Sequence, residues 1–322
     1  MPCACRVVLL SFIALLPAAV LAQSYPTKPV NLVVTVPAGG SIDAMARALA
    51  AELSPALGQP VVVTNRAGAG GNLAAEYVAN SAADGYTLMI TSSSTLVLNP
   101  FVYKSIPFDP VKSFEPIVIP ARLNMILVAH PRTNASSVRE LVAMLKAQSG
   151  KASYGSSGNG TLPHLAGVLF NNETGTEATH IPYKGIAPAV NDLLSGQIEY
   201  MFDSATTVPH IRAGKVRALA VIGPNRLPSL PEVATFKELG MPGMEAAGGW
   251  YGIFAPAGTP REIVQRLNQE VVRVLRQPNI RERLAAMGLE SATSTPEELA
   301  AALRDDLRRF APLVKQANVV PQ

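Results

Sequence analysis

The stretch "NLVVTVPAGGSIDAMARALAAEL", Asn31 to Leu53, decides the fold class. It begins with an apolar run rich in β-branched residues, which is typical of a parallel strand buried on both faces. A Gly-Gly-Ser step follows, and after it apolar residues recur at helical spacing. Ser41 is predicted to be the N-cap of this helix, and Gly58 is predicted to end it. Because a further apolar run, Pro60 to Asn65, follows, the segment from Val30 to Asn65 is predicted to be a right-handed β-α-β unit.

The same alternation of strand-like and helical patterns continues along the chain, which indicates an α/β protein with mainly parallel sheets. Two apolar runs, Ile117 to Val128 and Val216 to Ile222, could each cross from one domain to the other. We therefore expect residues 23–120 and 224–322 to form one discontinuous domain, and residues 121–223 to form a second domain.

The first 22 residues have the pattern of an export signal. The stretch "VVLLSFIALLPAAVLA" is apolar but short for a membrane span, and Ala22 stands where a signal peptidase would cut; a membrane anchor is the alternative. The only cysteines, Cys3 and Cys5, lie within this segment. The exported chain, starting near Gln23, would therefore have neither disulfides nor a catalytic thiol, and we expect it to be soluble and periplasmic.

Composition argues against several classes of partner. The chain has 322 residues, a hydrophobic content of 48% and a formal net charge of +4, and its lysines and arginines are scattered. Because it has no basic run, neither a nucleic acid nor a membrane surface is an expected partner. The pair Asp305-Asp306 lies in a charged helical pattern and is predicted to face solvent. Arg66 follows a strand end and could meet an anion, but an ion pair with a neighbouring carboxylate is the favoured expectation.

The motifs for catalysis and for cofactor binding fail on their spacing. The run from Gly155 to Asn159 lacks the last glycine of a nucleophile elbow, and the run from Gly158 to Pro163 lacks the third glycine of a dinucleotide-binding turn. The sequence contains no phosphate-binding loop of the GxxxxGK type. The four histidines lie far apart without the spacing of metal ligands, so we expect neither a metal nor a cofactor.

Anion binding by backbone groups remains, because a helix N-terminus presents unpaired N–H groups and a partial positive charge. Ser41 and Thr161 each start a helix after a Gly-rich turn, and together they could hold the two ends of a small dicarboxylate. Asp43 is expected to pair with Arg47 rather than with a ligand amine. Ligands of such sheets bind at the carboxyl ends of strands, and the candidate binding residues there are Ala38, Gly39, Gly40, Ser41, Ser92, Ser93, Ser157, Gly158, Asn159, Gly160, Thr161, His164, Tyr183, Lys184, Gly185 and Asp203.

Six stretches carry a family resemblance, in order from Tyr25 to Pro260: "YPTKPVNLVVTVPAGGSIDAMAR", "VVVTNRAGAGGNLAAEYVANSAADGYTLMI", "FDPVKSFEPI", "YGSSGNGTLPHLAGVLF", "HIPYKGIAPAVNDLLSGQIEYMFD" and "GIFAPAGTP". With them the chain resembles the tripartite tricarboxylate transporter receptors, the Bug or TctC-like periplasmic solute-binding proteins. The resemblance implies a Venus-flytrap fold of type II, and capture of a small carboxylated solute by backbone amides and hydroxyls. It also implies membrane transporter components as partners. Thr64 stands where the family commonly has Glu, which leaves the identity of the ligand open.

Two function classes follow from the sequence. The first is a periplasmic solute receptor, for transport or for signalling, which we expect to be a monomer without enzymatic activity. The second is an exported serine hydrolase of small esters or amides that uses a loop serine, and such a serine needs a base within reach. His164 is the only histidine close in sequence to Ser156 and Ser157, and the missing elbow and triad signals disfavour this class.

Overall fold

The computed structural model describes residues 25–204, 206–287, 289–317, 319 and 321, so the predicted export signal lies outside the described residues. Within them, no helix combines the length and the apolar character that a membrane crossing requires. The elements of the first part of the chain are β1 Val30–Val34, α1 Ser41–Leu57, β2 Val61–Asn65, α2 Asn72–Ala79, β3 Thr87–Ser92, α3 Asn99–Val102 and β4 Phe114–Leu123.

The middle of the chain forms a second series of strands and helices, and the C-terminal part is mostly helical. The middle elements are β5 Met125–Ala129, α4 Val138–Ala147, β6 Ser153–Ser156, α5 Leu162–Thr174, β7 Thr179–Pro182, α6 Ile186–Ser195, β8 Tyr200–Asp203, α7 Val208–Arg212 and β9 Arg217–Ile222. The remaining elements are β10 Gly249–Pro256, α8 Arg261–Leu275, α9 Pro278–Ala286, β11 Glu290–Ser291 and α10 Pro296–Gln316.

The first sheet has the strand order β11-β4-β10-β3-β1-β2. Its strand β1 pairs in parallel with β2 and β3, which confirms the predicted β-α-β unit. Helix α1 covers this unit because Met45, Leu49 and Leu53 recur at helical spacing and are all buried. The strands β10, β4 and β11 pair antiparallel, so the sheet is mixed rather than mainly parallel.

The second sheet has the strand order β7-β6-β8-β5-β9 and is also mixed. Strand β6 pairs in parallel with β7 and β8, whereas β5 pairs antiparallel with β8 and β9. The antiparallel strands are those that enter from the first sheet or lead back toward it. The sequence pattern misses this because a strand buried on both faces looks the same in either direction.

The run expected to be one crossing strand is two strands that belong to different sheets. Strand β4 ends at Leu123, β5 begins at Met125, and Asn124 alone lies between them. The connection from the second sheet back to the first is longer. After β9, the segment 224–247 packs on the second sheet, where Val221 forms a parallel bridge with Thr235. The sequence division placed that segment with the first domain, whereas the chain re-enters the first sheet only at Gly249.

Buried side chains form one large cluster that includes residues of both sheets, such as Met89 of β3 and Phe202 of β8. Helix α5 contacts α10 and the turn 242–247, so these elements lie between the sheets on one side. Two smaller clusters cover the other faces, one between the first sheet and α1, α8 and α9, the other between the second sheet and α6.

A buried polar contact fixes α10 against β10. The indole Nε1 of Trp250 donates to Oδ2 of Asp306 at 2.8 Å, and Arg309 pairs with the other carboxylate oxygen at 2.9 Å. Burial raises the pKa of Asp306. The prediction that the Asp305-Asp306 pair faces solvent is therefore wrong for Asp306, because its side chain lies on the helix face that packs on β10.

We expect the substitution Asp306→Ala to lower the free energy of unfolding by about 1–3 kcal/mol, because a buried indole N–H would lose its acceptor. Asp306→Asn retains an acceptor oxygen and should lose less. Urea unfolding followed by the fluorescence of Trp250, the only tryptophan of the chain, measures both. The exposed neighbour Asp305 is the control, and Asp305→Ala should stay within about 0.5 kcal/mol of wild type. Equal midpoints for Asp306→Ala and wild type would contradict this prediction.

Candidate ligand-binding site

The carboxyl ends of the parallel strands in both sheets lie beside the strand break at Asn124. In the first sheet, Leu123 pairs with Gly249 and Tyr251 pairs with Ser92, so β4 ends at the edge where β3 and β1 end. In the second sheet, Ile126 pairs with Asp203, so β5 begins at the edge where β8 and β6 end. The loops that follow these strands therefore face a common region between the sheets.

The loop after β1 is exposed from Pro37 to Ser41 and leads directly into α1. Gly40, not Ser41, is the N-cap: its backbone is extended, at φ −80° and ψ 170°, and its carbonyl accepts the first helical bond from Ala44. Ser41 is instead the first helical residue, and its Oγ lies 3.0 Å from the hydroxyl of Tyr251. No side chain caps this end of the helix, so its first N–H groups are available to an anion.

Asp43 holds this loop from behind and has an exposed fraction of 4%. Its carboxylate accepts from the Gly39 N–H at 3.0 Å, from Nδ2 of Asn65 at 2.9 Å and from Nε of Arg47 at 3.1 Å. The Arg47 hydrogen bond, then the Gly39 N–H, lowers the pKa of Asp43 to about 2. The expected pairing with Arg47 is confirmed, and the Gly39 N–H is already occupied by this carboxylate.

The hydroxyl-rich end of β3 is mostly engaged within the protein. Thr91 and Thr35 lie side by side, with their hydroxyl oxygens 3.1 Å apart. Ser93 is buried, and its Oγ accepts from the Trp250 N–H at 3.3 Å. Ser92 is half-buried at the strand end. Of the two predicted serines, Ser92 is therefore the more accessible to a ligand.

The loop after β6 is folded on itself by two hydroxyls. Ser156 Oγ accepts from the Gly158 N–H at 3.1 Å and lies 3.0 Å from the Gly158 carbonyl. Thr161 is the N-cap of α5, as predicted, but its hydroxyl donates to the Gly158 carbonyl at 2.8 Å instead of capping the helix. The N-terminus of α5 thus also lacks a side-chain cap.

His164 supports the same loop from its buried side. Its Nδ1 accepts from the Gly160 N–H at 3.0 Å, and its ring stacks on that of His180 with centroids 3.7 Å apart. Burial lowers the pKa of His164 to about 4. Burial, and then His164, lower the pKa of His180 to about 3. Both rings line a cavity of about 700 Å³ beside α5, and His164 contacts the predicted binding loop through Gly160.

The predicted residues after β7 and β8 differ in their exposure. Gly185 is the N-cap of α6, without a side-chain cap, and Lys184 beside it is exposed. The hydroxyl of Tyr183 donates to Asp192 of the same helix at 2.7 Å. The Asp203 side chain is fully buried and accepts from the Thr206 and Thr207 hydroxyls at 2.6 and 2.8 Å. Asp203 therefore organises its own loop.

A family model described as "Tripartite tricarboxylate transporter family receptor" matches residues 45–319 of the chain. The chain belongs to this family. The Bordetella pertussis protein BugT is 38% identical over 94% of the chain and 93% of its own length. A protein from R. palustris, solved with adipate, is 35% identical to this chain at a TM-score of 0.75. The match covers 92% of this chain and 100% of that protein's chain. A Rhodopseudomonas palustris protein, solved with bound malate, is 32% identical at a TM-score of 0.71. The match covers 90% of this chain and 100% of that protein's chain.

Several residues that shape the site in this family member have no motif that could identify them from the sequence. Tyr251 and Asn65 lie in strands of apolar appearance and Thr35 directly follows β1, and only the register of the sheet places their polar atoms near the loops. Arg66, at the end of β2, lies over the ring of Tyr77 at 3.7 Å. Its expected carboxylate partner is not among the ion pairs of the described residues.

We expect the wild-type protein to lose more stability at acidic pH than the variant His164→Asn. Asparagine can keep an acceptor for the Gly160 N–H but does not titrate. The folded pKa of His164, about 4, lies below the ordinary value of 6.5. The unfolded chain therefore takes up the proton first, and stability is lost as the pH falls from about 6.5 through about 4, by up to roughly 3 kcal/mol. Urea unfolding at a series of pH values measures this loss.

His210→Asn, on α7, is the matched control for this prediction and should follow the wild-type pH profile. Parallel profiles for wild type and His164→Asn would show that the Gly160 contact does not require a neutral imidazole.

Proposed function

We propose that this protein is a periplasmic receptor that binds a small carboxylate between two lobes. The first lobe is the first sheet with α1, α2, α3, α8, α9 and α10; the second lobe is the second sheet with α4 to α7 and the segment 224–247. The observation that carries the proposal is that Gly40, Thr161 and Gly185 each start a helix, without a side-chain cap, at the edge shared by both sheets. Three such ends supply N–H donors and a positive potential to an anion.

Two other helices of this protein, α4 and α10, have side-chain caps at their N-termini. Ser137 caps α4 by accepting from the Glu140 N–H, and Thr295 forms a full capping box with Glu298 at α10. Both of these helices begin away from the shared edge. Helices α8 and α9 also lack a side-chain cap, so it is their position at the shared edge that suits the N–H groups of α1, α5 and α6 to an external acceptor.

Charge at the shared edge supports binding by backbone groups. Among the candidate residues Lys184 is the one cation, and it is exposed, whereas the Asp43 carboxylate is already paired with Arg47. A carboxylate ligand would thus meet helix ends and hydroxyls, and little fixed negative charge. Adipate and malate, present in the solved relatives, are both dicarboxylates, which fits a site with donors from two lobes.

The wider proposal follows the family. Residues 1–22 would direct export, and membrane components of a tripartite tricarboxylate-type transporter, or a signalling partner, would receive the loaded protein. Hydrolysis is not part of the proposal. Ser156 lies 2.7 Å from Nε2 of His180, but the serine is fully buried, and a pKa of about 3 makes this imidazole a weak base at neutral pH.

Titration calorimetry with adipate, malate and a panel of other small carboxylates tests the proposal, and we expect at least one dicarboxylate to bind at a stoichiometry of one. Gly40→Val should weaken that binding roughly tenfold or more, because a side chain would keep the carboxylate from one charge-assisted hydrogen bond. The fold should tolerate the change, since Gly40 has φ −80° and no heavy atom lies within 4 Å of an added Cβ.

Ala51→Val, at an exposed position of the same helix, is the matched control and should leave affinity unchanged. Gly160 offers no comparable test, because it has φ +71° and an added Cβ would lie 2.6 Å from Val102. A folded Gly40→Val protein that binds as tightly as wild type would contradict the backbone site.

We further propose that the ligand closes the two lobes, because a ligand that contacts both loop sets binds the closed arrangement better than the open one. A saturating dicarboxylate should therefore reduce the radius of gyration in small-angle scattering. An unchanged radius, with binding confirmed in the same sample, would indicate a preformed and rigid site.

A further inference from the structure

The side chain of Asn124, the single residue between β4 and β5, is only half satisfied. It is buried, and its Nδ2 donates to Oε2 of Glu290 at 2.9 Å. Its Oδ1 has no hydrogen-bond partner. Among the buried side-chain nitrogen and oxygen atoms of the described residues, it is the one without a partner. An unpaired buried oxygen is costly, so another contact must hold Asn124 in this orientation.

Glu290 supplies that contact and extends it to the second lobe. Its Oε1 accepts from Nδ2 of Asn225 at 2.8 Å. Glu290 lies in β11 at the edge of the first sheet, whereas Asn225 lies in the segment that packs on the second sheet. One carboxylate therefore binds both the residue at which the chain crosses and a residue of the opposite lobe.

Packing does not fix the distance between the lobes at this point. A crevice of about 450 Å³ separates the loop that contains Asn225 and Leu227 from α9 and β11, with Glu282 and Leu289 on the opposite wall. The crevice leaves space between the two walls, which are in hydrogen-bond contact where Asn225 meets Glu290. The hydrogen bonds of Glu290 are the polar link across it.

Gly223 shows that the crossing is tight on the other side of Asn124. An added Cβ at Gly223 would lie 2.5 Å from Oδ1 of Asn124, so the chain needs glycine where it leaves β9. In the same arrangement the loop residues Gly40, Asn159 and Lys184 are exposed. The arrangement that Glu290 holds is therefore one in which both sides of the binding site are open to solvent.

We propose that the Glu290 carboxylate is a latch that holds the lobes of the ligand-free protein apart and must release Asn225 for closure. The inference rests on the proposed closure of the lobes around a carboxylate. Glu290 touches none of the candidate binding residues, so it acts as a positioning residue through the angle between the lobes. The reciprocal amide pair between Asn172 and Gln316, at 2.6 and 2.7 Å, also joins the lobes and is unaffected by changes at Glu290.

The latch is tested by measuring the distance between the lobes without ligand. Spin labels at Ala51→Cys on α1 and Asn191→Cys on α6, both exposed, report this distance by pulsed electron paramagnetic resonance. Protein produced without residues 1–22 has no other cysteine, because Cys3 and Cys5 are the only two. We expect Glu290→Ala and Asn225→Ala to shift the distribution to shorter distances and the double variant to add nothing further.

Ligand affinity gives an independent readout. When the open arrangement loses a hydrogen bond to a charged group, the Kd for adipate, or for whichever acid the wild type binds, should fall roughly three- to tenfold. Glu282→Ala, which changes a carboxylate on the other wall of the same crevice, is the control and should alter neither distance nor affinity. Asn225 is exposed, so its variant keeps the test valid if Glu290→Ala folds poorly.

The outcomes separate the latch from the proposed function. Unchanged or longer distances in both single variants, with wild-type circular dichroism, would overturn the latch even if the wild type binds a carboxylate. Shorter distances in both variants would support it even if no carboxylate of the panel binds, and the proposed ligand class would then be wrong instead.

Discussion

The candidate binding site of this protein depends on one break in an otherwise continuous apolar run, at Asn124. Strand β4 belongs to one sheet and β5 to the other, with a single residue between them. A connection this short leaves no room for the sheets to separate, so the carboxyl edges of their parallel strands lie side by side. The helix N-termini that follow β1, β6 and β7 face the same region because each strand leads into its helix through a short loop.

The loops at this edge are Gly-rich, and each is held by polar side chains behind it. Asp43 occupies the Gly39 N–H, His164 occupies the Gly160 N–H, and Asp203 binds the residues that follow it. Glycine lets a ligand approach the backbone closely, but a flexible loop would lose entropy on binding. The supporting side chains order these loops in the folded protein, so a ligand bound there would cost less loop entropy.

The interior also shapes how the lobes can move. One buried cluster runs from the first sheet through α10 and α5 to the second sheet, and it includes Leu165 and Phe310. Close-packed side chains resist sliding, so the proposed closure would have its axis near this side of the molecule. The crevice lined by Asn225 and Glu290 is open space and offers no such resistance. Polar contacts across it can therefore bias the open and closed arrangements by small free energies.

Most helices and strands, and the family, could be predicted from the sequence. Continuous β-branched runs, glycine stops and helical spacing defined β1, α1, β2 and the later units, because these signals depend only on neighbours along the chain. The sequence also located the loops that meet at the shared edge. Tertiary structure alone decided the strand directions, the position of the segment 224–247, and which polar groups in the loops are already engaged. Asp306 is buried, Asp203 is satisfied by its own loop, and Ser41 is helical rather than a cap, because burial and hydrogen bonding depend on residues distant in sequence.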